Sequence, residues 1–243
     1  MDYNFVFDVD GTLTPSRGLM DPKFKDFFQQ FIYDNDVYLV TGSDYEKTVE
    51  QIGADICESV NTCFNCSGNS IWISGQNISN SDWKLEQFHK DFLERVLKNN
   101  QYPLRFGNHI EERLGLVNFS VVGRNADQEN RKLYNRWDSE HNSRELIAEE
   151  INRRFEDIEA QVAGEIGIDI VERGKDKRQI LDHLHGPTLF FGDTIYPGGN
   201  DYSLAEALKD RRYGFSHLVK DWKETQTYLK RISFNLQEFL NSV

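Results

Sequence analysis

The junction at residues 4–11, where the apolar run NFVFDV meets Asp10-Gly11, limits the possible folds more than any other stretch of this chain. The run is β-prone, and Asp-Gly is a turn signal, so a strand ends there abruptly. Residues 21–33 then carry Phe24, Phe27, Phe28 and Phe31 at helical spacing, the pattern of a helix with one buried face. Residues 36–41, DVYLVT, read as a second short strand. Ser43-Asp44-Tyr45-Glu46 has the form of a capping box and predicts a helix through about Gln51. Strand, glycine turn, helix, strand and capped helix is the rhythm of an α/β domain with a parallel sheet.

From about residue 79 the texture changes. The spacing predicts a helix over 82–98 and a strand over Leu114–Val122. Two charge-rich helices follow near 127–138 and 143–155, then a hairpin over 158–171 broken at Ala163-Gly164. A helix over 176–184 and the apolar strand PTLFFG at 187–192 resume the earlier rhythm. Residues 1–78 and 176–243 therefore read as one core domain, and 79–175 as an inserted α+β domain. The stretch 221–241 is amphipathic through Trp222, Leu229, Ile232, Leu236 and Leu240, which predicts a packed helix.

Composition narrows the function classes. With 38% hydrophobic and 13% aromatic residues the chain can bury a sizeable core. No apolar run approaches the roughly 18 residues of a membrane span, and the N-terminus lacks the basic and apolar regions of a signal peptide. A cytoplasmic protein with no membrane partner is the expectation. A net charge of -12 argues against broad nucleic-acid binding and repels anionic metabolites, so a phosphorylated substrate would need local arginines or a metal. Cys63 and Cys66 form a C-x-x-C pair, but a zinc site needs about two more ligands and there is no second pair. Two small residues in a strand-to-loop region is the preferred reading of that pair, with a thioredoxin-like redox role as the lesser alternative, and the N-x-S triplets at Asn65, Asn77 and Asn118 carry little weight without secretion.

The chemistry lies in Asp8-Val9-Asp10-Gly11-Thr12. Carboxylates at i and i+2 just beyond a strand can project together into the crevice where open α/β sheets bind ligands. One can attack phosphorus while the other handles the proton on the entering or leaving oxygen. Two anions facing an anionic phosphoryl group need a cation, and oxygen ligands imply Mg2+.

FDVDGTLT resembles the first motif of the haloacid dehalogenase (HAD) superfamily. Thr41 resembles its phosphoryl-holding hydroxyl residue, and Lys177 the lysine beside the aspartyl-phosphate. Gly192-Asp193 with Asn200-Asp201 resembles its acidic magnesium motif. Within the superfamily the chain is similar to the eukaryotic-type phosphomannomutases, through TGSDYEKTVEQIG, EERLGLVNFSVVGR and FFGDTIYPGGND. The resemblance implies a Rossmann-like core with an inserted α+β cap. It implies Asp8 as nucleophile, Asp10 as general acid/base, and Mg2+ held by Asp8, Asp193 and the backbone carbonyl of Asp10. Arg17, Arg113, Arg124, Arg131 and Asp169 would bind a hexose phosphate, with a hexose 1,6-bisphosphate as activator and a homodimer formed through the caps. A sugar-phosphate phosphatase on the same nucleophile, or a non-catalytic sensor, are the alternatives. The sequence departs from the family at Cys66-Ser67-Gly68, where Glu-Asn-Gly is usual, and at Gly167, where a sugar-contacting Ser is common.

Overall fold

The computed structural model describes residues 3–240. Its larger sheet comprises β1 (Asn4–Phe7), β2 (Asp36–Val40), β3 (Thr62–Asn65), β4 (Ser70–Ile73), β5 (Gln76–Asn80), β10 (Thr188–Gly192) and β11 (Gly214–Leu218). Their order is β11-β10-β1-β2-β3-β4-β5. The strands from β11 to β3 are parallel, and β4 and β5 add an antiparallel edge. The smaller sheet is antiparallel throughout: β6 (Ile110–Arg113), β7 (Leu116–Phe119), β8 (Ile158–Ala163) and β9 (Gly167–Glu172), in the order β6-β7-β9-β8. The helices are α1 (Pro22–Asp34), α2 (Tyr45–Ile52), α3 (Ala54–Ser59), α4 (Gln87–Asn99), α5 (Gln128–His141), α6 (Ser143–Arg154), α7 (Tyr202–Lys209) and α8 (Trp222–Leu240). No helix among the described residues is long and apolar enough to cross a membrane.

β1 lies between β10 and β2 and is covered on both faces, which is why it is buried at every position and apolar from Phe5 to Phe7. Phe5 and Phe7 pack on one side against Phe24, Phe28 and Phe31 of α1, with Phe7 and Phe28 edge to face at 5.3 Å. Val6 packs on the other side with Val40, Phe64, Phe190 and Leu204. Each ring fully withdrawn from water contributes about 1.5–3 kcal/mol, so the strand that delivers Asp8 is firmly held. Asp21 starts α1, its side chain accepting from the Lys23 and Phe24 N–H groups at 3.0 Å, with Pro22 in the first turn. The smaller sheet has its own core, where Phe119, Ile168 and Ile170 meet Tyr134 and Ile151.

Several elements differ from the sequence expectation. The strand expected over Leu114–Val122 is shorter, β7 at Leu116–Phe119, and it pairs with an unexpected strand before it, β6, through a turn at Leu114-Gly115, where Gly115 has φ +63°. The segment expected as a helix at 176–184 is a 3-10 turn over Lys177–Asp182. α2 is capped by Asp44, whose side chain accepts from the Lys47 N–H at 2.8 Å; the capping pattern is displaced by one residue and Ser43 is left for another contact. α4 begins at Gln87 rather than 82. The expected boundary at 78/79 falls inside β5, because the pairing of β4 with β5 keeps the chain in the larger sheet through Asn80. The C-terminal helix is present, with a non-helical break at Asn235; the Leu240 side chain and residue 241 lie outside the described residues.

Candidate active site

Three neighbouring strands end at one crevice. Asp8 follows β1, Thr41 follows β2, and Asp193 follows β10. A turn closes behind Asp8, with the Leu13 and Thr14 N–H groups donating to the Val9 carbonyl. Gly11 has φ +88°, and a Cβ there would lie 2.1 Å from Asp193 Oδ2, so the close approach of that carboxylate requires glycine.

Lys177 is completely buried, and its ammonium donates to Asp8 Oδ1 at 2.6 Å and to Asp201 Oδ1 at 2.7 Å. Burial alone would lower its pKa, but Asp201 and Asp8 outweigh that and raise it, so the charge is kept. Asp8, Asp193 and Asp201 each offer an oxygen within 4.8 Å of the others. Burial raises the pKa of Asp8, with Asp201 adding to the rise and Lys177 opposing it. Burial raises Asp193 as well, reinforced by Asp8 and Asp201. Three crowded carboxylates against one ammonium form a donor set of hard oxygens that a divalent cation would relieve. The donor set fits a metal.

The Asp10 carboxylate turns away from that group. Its Oδ1 accepts from the Arg17 N–H at 2.5 Å and from Gln51 Nε2 at 2.9 Å, and its Oδ2 from Ser43 Oγ at 3.3 Å. Asp201, read from sequence as part of the acidic motif but not among the ligands, does join the metal-competent group.

Opposite these groups the smaller sheet and its loops supply cations. A cavity of about 490 Å³ is lined by Asp8, Asp10, Thr41 and Asp193 from one side and by Arg113, Arg124, Arg131 and Asp169 from the other, with Arg17 at its exposed margin. All the residues singled out from sequence border it except Lys177, which sits beneath Asp8. Arg113 reaches across to the larger unit, donating from Nη1 to the Gly42 carbonyl at 2.6 Å. It also pairs with Glu111, which receives Arg124 Nε at 3.2 Å. Burial would lower Arg113's pKa, but Asp169 and Glu111 hold it above the usual guanidinium value. Arg124 is pushed down to about 10 by burial and by Arg113, and Arg131 is lowered by burial and by Arg17. Like charges held this close favour an anion between them.

Glu111, Ser43, Gln51 and Asn118 were not singled out as site residues from the sequence. Ser43 was read as part of a helix cap and Gln51 as a helix end, while Glu111 stood only within the segment EERLGLVNFSVVGR and Asn118 only in an N-x-S triplet. Neither cysteine of the C-x-x-C pair faces solvent. Cys57, Cys63 and Cys66 are free and buried. Burial pushes the Cys66 thiol up to about 12, and a contact with Cys57 together with burial raises Cys63.

A model of the eukaryotic phosphomannomutase family matches residues 24–235. The chain belongs to that family. Among relatives of this phosphomannomutase-family chain, "Phosphomannomutase 1" of Dictyostelium discoideum is 31% identical over 94% of this chain and 96% of its own length. The Arabidopsis thaliana phosphomannomutase is 33% identical over 84% of this chain and 87% of its own. Solved structures share the fold at low identity. The C-terminal domain of the Candida albicans trehalose-6-phosphate phosphatase has a TM-score of 0.61 at 15% identity, covering 96% of this chain and 92% of that one. A haloacid dehalogenase-like hydrolase from Bacteroides thetaiotaomicron has 0.56 at 14%, covering 96% and 100%. The larger sheet is a HAD-like core and the smaller antiparallel sheet is its cap.

Proposed function

We propose that this family member is a magnesium-dependent phosphomannomutase interconverting mannose 6-phosphate and mannose 1-phosphate. The observation that carries the reading is the polarity of one cavity, with carboxylates backed by a buried lysine at one end and guanidinium groups at the other. A mutase must hold one phosphate while transferring another, and this arrangement offers a place for each. Asp8 is the nucleophile. Its Oδ1 is held by Lys177, which leaves Oδ2 to attack phosphorus. The sugar oxygen departs with a proton from Asp10; in the second half-reaction Asp10 removes the proton of the other sugar hydroxyl as that oxygen takes the phosphoryl group back from Asp8. The contacts of Asp10 with Arg17 and Gln51 fix Oδ1, and Oδ2, with its longer contact to Ser43, is the oxygen that exchanges the proton.

Lys177 keeps a positive charge beside Asp8 throughout, and Thr41 borders the phosphoryl position. Mg2+, held by Asp8, Asp193 and the Asp10 carbonyl with Asp201 alongside, would supply charge neutralisation of the phosphoryl oxygens. Arg17, Arg113, Arg124 and Arg131 take the distal phosphate and Asp169 the sugar hydroxyls. A hexose 1,6-bisphosphate primes Asp8, and the family likeness supports a cytoplasmic homodimer formed through the caps. Incubation with mannose 1-phosphate, Mg2+ and a trace of glucose 1,6-bisphosphate should yield mannose 6-phosphate. Free phosphate as the main product would make the chain a phosphatase, and binding without either product would make it a sensor.

A further inference from the structure

We infer that Glu111 is a built-in competitor of the distal phosphate, seated in the guanidinium clamp so that the clamp can let go between the two half-reactions. The inference rests on the hexose-phosphate reading above and gives a role to a cavity residue that reading leaves unused. Side chains on β6 alternate between the faces of the cap sheet. Glu111 and Arg113 therefore border the cavity, while Glu112 turns away from it to pair with Lys90. Glu111 Oε1 accepts from Arg113 Nε at 2.8 Å and also from its Nη2. Nε and Nη2 form an edge with which arginine makes its paired contact to phosphate, so this carboxylate oxygen takes a place that a phosphate oxygen would take. Oε2 accepts from Arg124 Nε at 3.2 Å and from Asn108 Nδ2 at 3.5 Å. Burial would raise the Glu111 pKa, but Arg113 and Arg124 hold it below the usual carboxylate value, so the group keeps its charge. Asp169 also lies close to Arg113, but its Oδ1 receives Asn118, and no arginine among the described residues donates to it. Glu111 is thus the carboxylate that meets both guanidinium groups.

A clamp of bare guanidinium groups would bind a phosphate dianion best and release it worst. A mutase needs release once in each cycle, because the distal phosphate has to leave the clamp before the other end of the sugar can enter it. An ionised Glu111 eases that departure by returning to Arg113 and Arg124 as the phosphate goes, so the guanidinium groups are not left unpaired. An amide at this position would keep the outline and, through its oxygen, the Arg113 contact. It would remove the repulsion between carboxylate and phosphate. Its nitrogen would also face Arg124 Nε, donor against donor, which frees that guanidinium for the ligand.

Calorimetric titration of Asp8→Asn protein with glucose 1,6-bisphosphate and Mg2+ reads the clamp without turnover, since either orientation of the sugar places a phosphate there. Adding Glu111→Gln should tighten binding about tenfold, the effect of one like charge removed from beside the ligand. Glu112→Gln, which removes the same charge from the other face of β6, should change the affinity by less than about twofold. In the enzyme with Asp8 intact, Glu111→Gln should lower both KM and kcat for mannose 1-phosphate, each by roughly fivefold or more. Glu111→Asp keeps the charge and should stay nearer the native values. Glu111→Ser serves if Glu111→Gln folds poorly. Unchanged or weaker binding would make Glu111 a support for the arginines and overturn the inference alone. Tighter binding with undiminished kcat would overturn it too, because release would then not depend on Glu111. An Asp8→Asn parent that binds no hexose bisphosphate overturns the substrate reading and this inference with it.

Discussion

At the sheet end of the cavity the charges are buried and carboxylates outnumber the one lysine locked among them; at the cap end they are more exposed and the arginines outnumber Glu111 and Asp169. Lys177 between Asp8 and Asp201 cannot be removed without leaving uncompensated carboxylates in the interior. Arg124 and Arg131 have depressed pKa values, first through burial and then through the neighbouring cations Arg113 and Arg17, and a bound anion would offset both. The first arrangement is organised before any ligand arrives and suits chemistry. The second is organised by a ligand and suits recognition.

The comparison is broken most severely if the sheet end can be disarmed without consequence. Asp8→Asn should lower turnover by more than about a thousandfold, because the amide keeps the shape but not the nucleophile. The fold should survive: burial already pushes the Asp8 carboxyl toward neutrality, so a neutral group of the same outline is tolerated. Beryllofluoride with Mg2+ should stabilise the native protein against heat and leave the variant unchanged. Appreciable turnover by purified Asp8→Asn protein would end the role given to this residue.

Asp193→Ala comes next. It removes one oxygen from the acidic group and should raise the Mg2+ concentration for half-maximal activity about tenfold or more. EDTA should stop the native enzyme and Mg2+ restore it. Stoichiometric zinc in the purified protein, lost on replacing Cys63 and Cys66, would overturn the dismissal of that pair as a metal site; an Mg2+ requirement unchanged in Asp193→Ala would show that the acidic group is not the metal centre.

How far the sequence foretold the molecule follows the same division. The sheet end was legible because strand, glycine and carboxylate are contiguous: FDVDG places Asp8 at a strand end whatever lies elsewhere, and FFGD does the same for Asp193. The lysine was found through its motif, although the helix expected around it is a 3-10 turn. The cap end depends on pairings between distant segments. Asn118 meets Asp169, and Arg113 meets Gly42, across 51 and 71 residues of sequence, and no local pattern announces either contact. Of the β6–β7 hairpin only the β7 arm was read as a strand, because LVNF is apolar and β-prone whereas IEER is charge-rich and looks like a loop. Side chains that position others, such as Gln51 and Ser43 on Asp10, have no signature beyond the surface helix residues they resemble.

The smallest effect expected, and the sharpest test of the cap, concerns Arg124 and Arg131. A charge-assisted hydrogen bond to phosphate is worth about 1.5–3 kcal/mol, so either change to Ala should lower kcat/KM for hexose phosphates about tenfold or more. Cleavage of p-nitrophenyl phosphate, which reaches only the sheet end, should fall much less. The two arginines should differ in a second measurement. Arg131 also donates to the Ala126 and Arg124 carbonyls at 2.8 and 2.6 Å, fixing the loop before α5, whereas Arg124 Nε pairs with the partly exposed Glu111. Arg131→Ala should therefore lower the melting temperature by several degrees, and Arg124→Ala should leave it nearly unchanged. Lysine should rescue Arg124→Ala poorly, because an ammonium cannot make the planar two-bond contact. Equal losses on sugar and generic esters would mean that the arginines merely hold the cap together. No loss on either substrate would mean that the cap cations are solvated, and the mutase reading would yield to simple hydrolysis at Asp8.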